Sequence, residues 1–111
     1  MNSNYIENKQ NKYPVVTLCG STKFKDEFLA MQKELTLDGY IVISVGLFGH
    51  SGDDLRGSKE MLDDMHKRKI DMADEIFVIN KNGYVGSSTK SEIEYATAHG
   101  KKIRYLEDQN T

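Results

Sequence analysis

The stretch Val15-Val16-Thr17-Leu18-Cys19-Gly20-Ser21-Thr22 decides how this chain folds. An apolar, β-branched run ending abruptly in Gly-Ser-Thr reads as a buried strand that turns into a helix. Such a turn leaves unpaired backbone N–H groups at the helix start. With the helix dipole, they suit a phosphate or carboxylate. The same residues also serve a purely local purpose: Gly20 permits a tight turn, and Ser21 or Thr22 caps the helix. From this stretch alone both readings stand.

Upstream, Met1 to Tyr13 is polar and rich in Asn and Lys, as expected of a flexible tail. Pro14, the only proline, precedes the strand, where a missing N–H does no harm. Downstream, Phe24, Phe28, Met31 and Leu35 recur at helical spacing up to Asp38-Gly39, a helix stop. Tyr40 to Val45 is again β-branched and apolar, so the helix joins two parallel strands in a βαβ unit. The glycine-rich segment from Gly46 to Ser58 reads as a long, mobile loop. Lys59 to Met72 is a charged helix that turns Met61, Leu62, Met65 and Ile70 inward. Glu75 to Asn80 is a third strand, followed by a Gly/Ser-rich loop from Lys81 to Ser88. Thr89 to His99 is a short helix closed by Gly100, and Lys101 to Leu106 alternates as an edge strand does. A polar tail, 107–111, completes the chain.

This order predicts one α/β domain over residues 14–106. The expected architecture is a three-layer Rossmann- or flavodoxin-like sandwich around a small, mostly parallel sheet of four to five strands. Ligands of such sheets sit at the carboxyl ends of the strands. The loops at Gly20-Ser21-Thr22 and Gly83 to Ser88 are therefore expected to face each other across the sheet top.

Composition narrows the function classes. The chain has 111 residues, enough for one hydrophobic core. A net charge of −2 and a pI near 5.9 argue against a general nucleic-acid binder, which carries a basic excess. No run is apolar enough to span a membrane, and the first residues are too polar for a secretory signal, so a cytoplasmic protein is expected. The single cysteine, Cys19, excludes an internal disulfide framework and fits a reducing compartment. At the end of a buried strand it reads first as a small core residue, and second as a reactive thiol. His50, His66 and His99 lie far apart with no partner cysteines nearby, so neither a metal site nor a cofactor is expected.

The residue with the most chemistry is Glu92. Thr89-x-x-Glu92 fits a capping box, in which the glutamate bonds back to the helix start. Alternatively Glu92 projects from the first turn into the cleft, where the positive helix end keeps it ionised as a nucleophile. Helical geometry puts it on the face of Ser88 and Ala96, with Glu94 pointing towards solvent.

Three motifs together resemble the nucleoside 2-deoxyribosyltransferase superfamily, which includes the 2'-deoxynucleoside 5'-monophosphate N-glycosidases. They are the strand ending Cys19-Gly20-Ser21, the Ala73-Asp74 pair heading an apolar strand, and Glu92-Ile93-x-Tyr95-Ala96 after a Gly-rich loop. The resemblance spans residues 14–106. It implies that Glu92 attacks the anomeric carbon of the sugar, that the base leaves, and that water or a second base accepts the sugar, as in a retaining glycosidase. It also implies that Cys19, Gly20, Ser21, Thr22 and Lys23 form one wall of the site. Gly86, Ser87, Ser88 and Thr89 would then complete a phosphate pocket.

Two positions depart from the family pattern. Seven residues before Ala73, where the family carries an aspartate, this chain has His66. The run His66-Lys67-Arg68-Lys69 reads as a solvated face paired with Asp63 and Asp64. Alternatively, His66 replaces the aspartate as proton carrier and Lys69 faces an anionic ligand. Lys23 and Lys25 follow Gly-Ser where the monophosphate-acting branch has arginine and glycines. Tyr84, at a loop tip, either stacks on a base or covers the sheet end.

The expectation is an enzyme that cleaves or transfers the N-glycosidic bond of a (deoxy)nucleoside or its 5'-monophosphate. The alternative is a non-catalytic module that binds or senses a nucleotide in the same cleft. The family completes its sites across subunits, so the resemblance also implies a homo-oligomer, a dimer; charge and the lack of an apolar span argue against a nucleic-acid or membrane partner.

Overall fold

A computed structural model describes residues 12–109. Most of the expected tail at residues 1–13, and the last two residues of the tail at 107–111, lie outside the described residues. Among the described residues the sheet has four strands, β1 (Val15–Gly20), β2 (Ile41–Ile43), β3 (Glu75–Ile79) and β4 (Lys102–Tyr105). They lie in the order β2-β1-β3-β4 and every pairing is parallel. Three α-helices, α1 (Lys25–Leu37), α2 (Lys59–Asp71) and α3 (Ser87–Ala98), join them. This is the α/β Rossmann- or flavodoxin-like domain that the element order predicts.

Alternation along the two central strands builds the layers. Val16 and Leu18 of β1, with Phe77 and Ile79 of β3, pack beneath α1 against Phe28 and Leu35. On the opposite face Cys19, Ile76 and Val78 pack against Ile70 of α2 and Ala96 of α3. The central strands are buried on both faces, which is why their sequences are continuously apolar.

Asp74 fixes the amino edge of the sheet. Its carboxylate accepts from the Val15 N–H at 2.8 Å, and its own N–H donates to the Val15 carbonyl at 2.9 Å. The aspartate of the Ala73-Asp74 motif thus has a structural task.

Three boundaries differ from the sequence expectation. The second strand is shorter, because only Ile41 to Ile43 find partners on β1. The segment from Gly46 to Ser58 is anchored instead of trailing. Phe48 is buried and meets Phe28 edge-on at 5.5 Å, and Asp53 accepts from the Phe48 N–H at 2.7 Å. Helix α3 begins at Ser87 rather than Thr89, since the extended Gly86 already delivers the chain to its first turn. Among the described residues, no helix is long and apolar enough to cross a membrane.

Candidate functional site

Helix α1 covers one face of the sheet and α2 and α3 the other, so the crossovers diverge between β1 and β3. In open parallel sheets this divergence marks the ligand side, at the carboxyl ends of the strands. The two loops do meet there. Phe24 and Tyr84 are edge-to-face at 5.9 Å, and the Lys23 ammonium sits 3.5 Å from the Tyr84 ring centre. Gly20 sets how closely the β1 turn approaches β3. Its φ is +153°, and a Cβ there would lie 2.9 Å from the Ile79 carbonyl oxygen.

The polar centre lies behind that turn, on the side of α2 and α3. Cys19 from β1, His66 from α2 and Glu92 from α3 converge. The Cys19 Sγ to His66 Nε2 distance is 3.5 Å, and His66 Nε2 to Glu92 Oε1 is 3.9 Å. Glu92 borders a cavity of about 230 Å³ lined also by Asp63, Lys67, Ser87, Ser88 and Ser91. That is smaller than the roughly 300–1,000 Å³ of a drug-sized site, and it suits one ring or one phosphate rather than a whole enclosed ligand.

Burial dominates the electrostatics of this centre. Desolvation raises Glu92 to about 7, against a smaller opposing effect from its hydrogen bond with Cys19. His66 is lowered to about 4, first by burial and then by the charge of Lys69. Burial also raises the Cys19 thiol, with the Glu92 carboxylate adding to the effect. At neutral pH the imidazole is therefore uncharged and Glu92 is the group that exchanges a proton.

This corrects two sequence readings. Starting at Ser87, α3 puts Thr89 at its third position and buries it, and no side chain caps the helix. The Thr89–Glu92 capping box does not form. Glu92 then falls in the second turn, beyond the reach of the terminal dipole. Desolvation, not the helix end, sets its ionisation.

Of the other residues expected at the site, Ser87 and Ser88 join Glu92 at the cavity. Gly86 is the N-cap of α3 and Thr89 is packed inside. Ser21 accepts from the Lys23 N–H, and Thr22 Oγ1 lies 2.5 Å from His50 Nδ1. Lys23 and Tyr84 form their own cluster above the sheet end. Lys69 does not line the Glu92 cavity: its ammonium donates to the Ser44 carbonyl at 2.8 Å.

Sequence reasoning missed Asp63, Lys67 and Ser91. The signal was present as spacing: Asp63-His66-Lys67 and Ser88-Ser91-Glu92 each run i, i+3, i+4, so each trio shares one helix face. No family model matches the chain, and neither does any protein in a search of curated ones.

Proposed function

We propose that this protein cleaves or transfers the N-glycosidic bond of a (deoxy)nucleoside or nucleoside 5'-monophosphate, with Glu92 as nucleophile. One observation carries the reading: Glu92 is a largely desolvated carboxyl bordering a cavity whose other walls are three serines, Lys67 and Asp63. The resemblance in motif order to the nucleoside 2-deoxyribosyltransferase superfamily supports it.

In this reading the ionised Glu92 adds to the anomeric carbon as the bond to the base breaks. The base leaves with the bonding electron pair and takes a proton from water in the open cavity. Water or a second base then releases the sugar from the glutamyl ester. Neutral His66 lies beside the carboxyl, its Nε2 3.9 Å from Glu92 Oε1. In this reading a 5'-phosphate is taken by Ser87, Ser88 and the α3 N–H groups, with Lys67 also at the cavity.

A second reading, binding without turnover, is favoured by one specific feature. The position of the family aspartate holds a histidine that is neutral at pH 7 and offers no ready acid for the leaving base.

One assay separates them. The protein is incubated with a panel of deoxynucleosides and monophosphates, and free base is measured beside a Glu92→Gln control. Base release that vanishes in the variant supports the first reading. A tightly bound, intact nucleotide without base release supports the second. Release that continues unchanged in Glu92→Gln overturns the role of Glu92.

A further inference from the structure

The fold that positions Glu92 also completes a donor set that no single stretch of the chain contains. Cys19 Sγ, His66 Nε2 and a Glu92 carboxylate oxygen all lie within 4.8 Å of one another. Each comes from a different element, and Cys19 and His66 are buried. Donors fixed by three packed elements are better positioned than donors on one loop.

The spacing suits a small tetrahedral ion. Zinc, with bonds of ~2.0–2.3 Å, holds its ligand atoms roughly 3.3–3.6 Å apart. The thiol–imidazole edge, at 3.5 Å, already has that length. Glu92, on a flexible side chain, must approach the other two by up to about 1.5 Å to match such an edge.

The charges also balance. A thiolate, a carboxylate and a neutral imidazole offset a dication, leaving a neutral cluster that a buried site tolerates. Sulfur and imidazole together select zinc-class metals over magnesium and calcium, which want oxygen alone. Of the three donors only Glu92 borders the cavity, so a further coordination position lies on that open side.

We propose that Cys19, His66 and Glu92 form a three-donor site for a divalent cation of the zinc class, with its fourth position open to the cavity. A bound ion engages the carboxylate oxygens that a nucleophile needs. The metal is therefore an inhibitor of any reaction that uses Glu92 as nucleophile. The metal site itself does not depend on the glycosidase reading, because it is tested without substrate.

The test titrates the reduced, chelator-stripped full chain with Co²⁺. The expected result is one ion per chain, a thiolate-to-cobalt charge-transfer band, strong four-coordinate visible bands, and displacement of all of these by Zn²⁺. Cys19→Ser should lose the charge-transfer band and weaken binding by at least ~100-fold, the upper end of what losing a mere outer-shell partner costs. Glu92→Gln should keep the band and bind more weakly, while His50→Ala and His99→Ala change nothing.

Because Cys19 is the single cysteine, a second reading needs no variant. Zn²⁺ should slow alkylation of the thiol in the parent protein. The site is overturned by a parent protein that shows no charge-transfer band, by a six-coordinate spectrum, by binding undiminished in Cys19→Ser, or by alkylation that ignores Zn²⁺. A chain that binds cobalt yet releases no base fails the glycosidase reading alone.

Discussion

The two faces of β1 belong to the same six residues and do opposite things. Val16 and Leu18 join a cluster of aliphatic and aromatic side chains under α1, closed by Phe28, Phe48 and Phe77. Thr17 and Cys19 look the other way, where the Thr17 hydroxyl donates to the Lys69 carbonyl and Cys19 meets His66. The α1 face is filled by carbon. The α2/α3 face keeps polar groups dry beside a cavity. The first arrangement gains stability by burial, and the second uses burial to move protons.

The contrast is broken most strongly by Glu92→Gln. If Glu92 is the nucleophile, base release should fall by ~10⁴-fold or more, about 5 kcal/mol of barrier. Chemical denaturation of the same variant at pH 7 should show no loss of stability. A variant that unfolds instead would make Glu92 a packing residue.

Next in size is the mirror experiment on the α1 face. Phe28→Ala removes a fully buried ring and should cost about 3–5 kcal/mol, read from the urea midpoint. Any base release per folded molecule should stay within a few-fold of the parent.

A smaller effect is a pH dependence specific to the polar face. Glu92 is raised from 4.5 to about 7 on folding, so its contribution to stability is complete below pH 4.5 and lost as pH rises through 7. His66 is lowered from 6.5 to about 4, so its contribution is complete above pH 6.5 and lost as pH falls through 4. With chelator present, Glu92→Gln should gain on the parent between pH 5 and 8, by up to about 3 kcal/mol. His66→Gln should flatten the acid limb. Parallel curves for parent and Glu92→Gln would show that the carboxyl is not desolvated.

The smallest effect lies at the sheet edge shared by both faces. Asp74→Ala should cost about 1–2 kcal/mol through the lost bond to the Val15 N–H, with no change in metal binding or turnover.

The sequence made the sheet legible because both central strands are buried on two sides, and that requirement writes continuous apolar runs into the chain. It also made Glu92 and the facing loops legible, through spacing and motif order. The cap of α3 was hidden because Ser87, Ser88 and Thr89 are all acceptable helix starters, and only the extended Gly86 decides among them. The donor set was hidden for a different reason. Metal-ligand spacing is a local signal, whereas Cys19, His66 and Glu92 become neighbours only through two strand pairings and a helix contact. The contact of the Lys69 ammonium with the Ser44 carbonyl, just past β2, was hidden in the same way, because the two residues are far apart along the chain.

The ladder between β1 and β3 has a kinetic consequence. Val15 pairs with Ile41 through a short crossover, while Val16 must find Glu75, at more than twice that separation along the chain. Each doubling of loop length adds only about 0.6 kcal/mol of closure entropy, so equilibrium stability hardly registers the distance. Folding rate does register it, since distant pairings must be searched for before they repay that entropy. Glu92 reaches Cys19 only after this distant pairing and one further helix. The hydrocarbon layer under α1 can begin to assemble from the first third of the chain, whereas the chemical centre waits until Glu92.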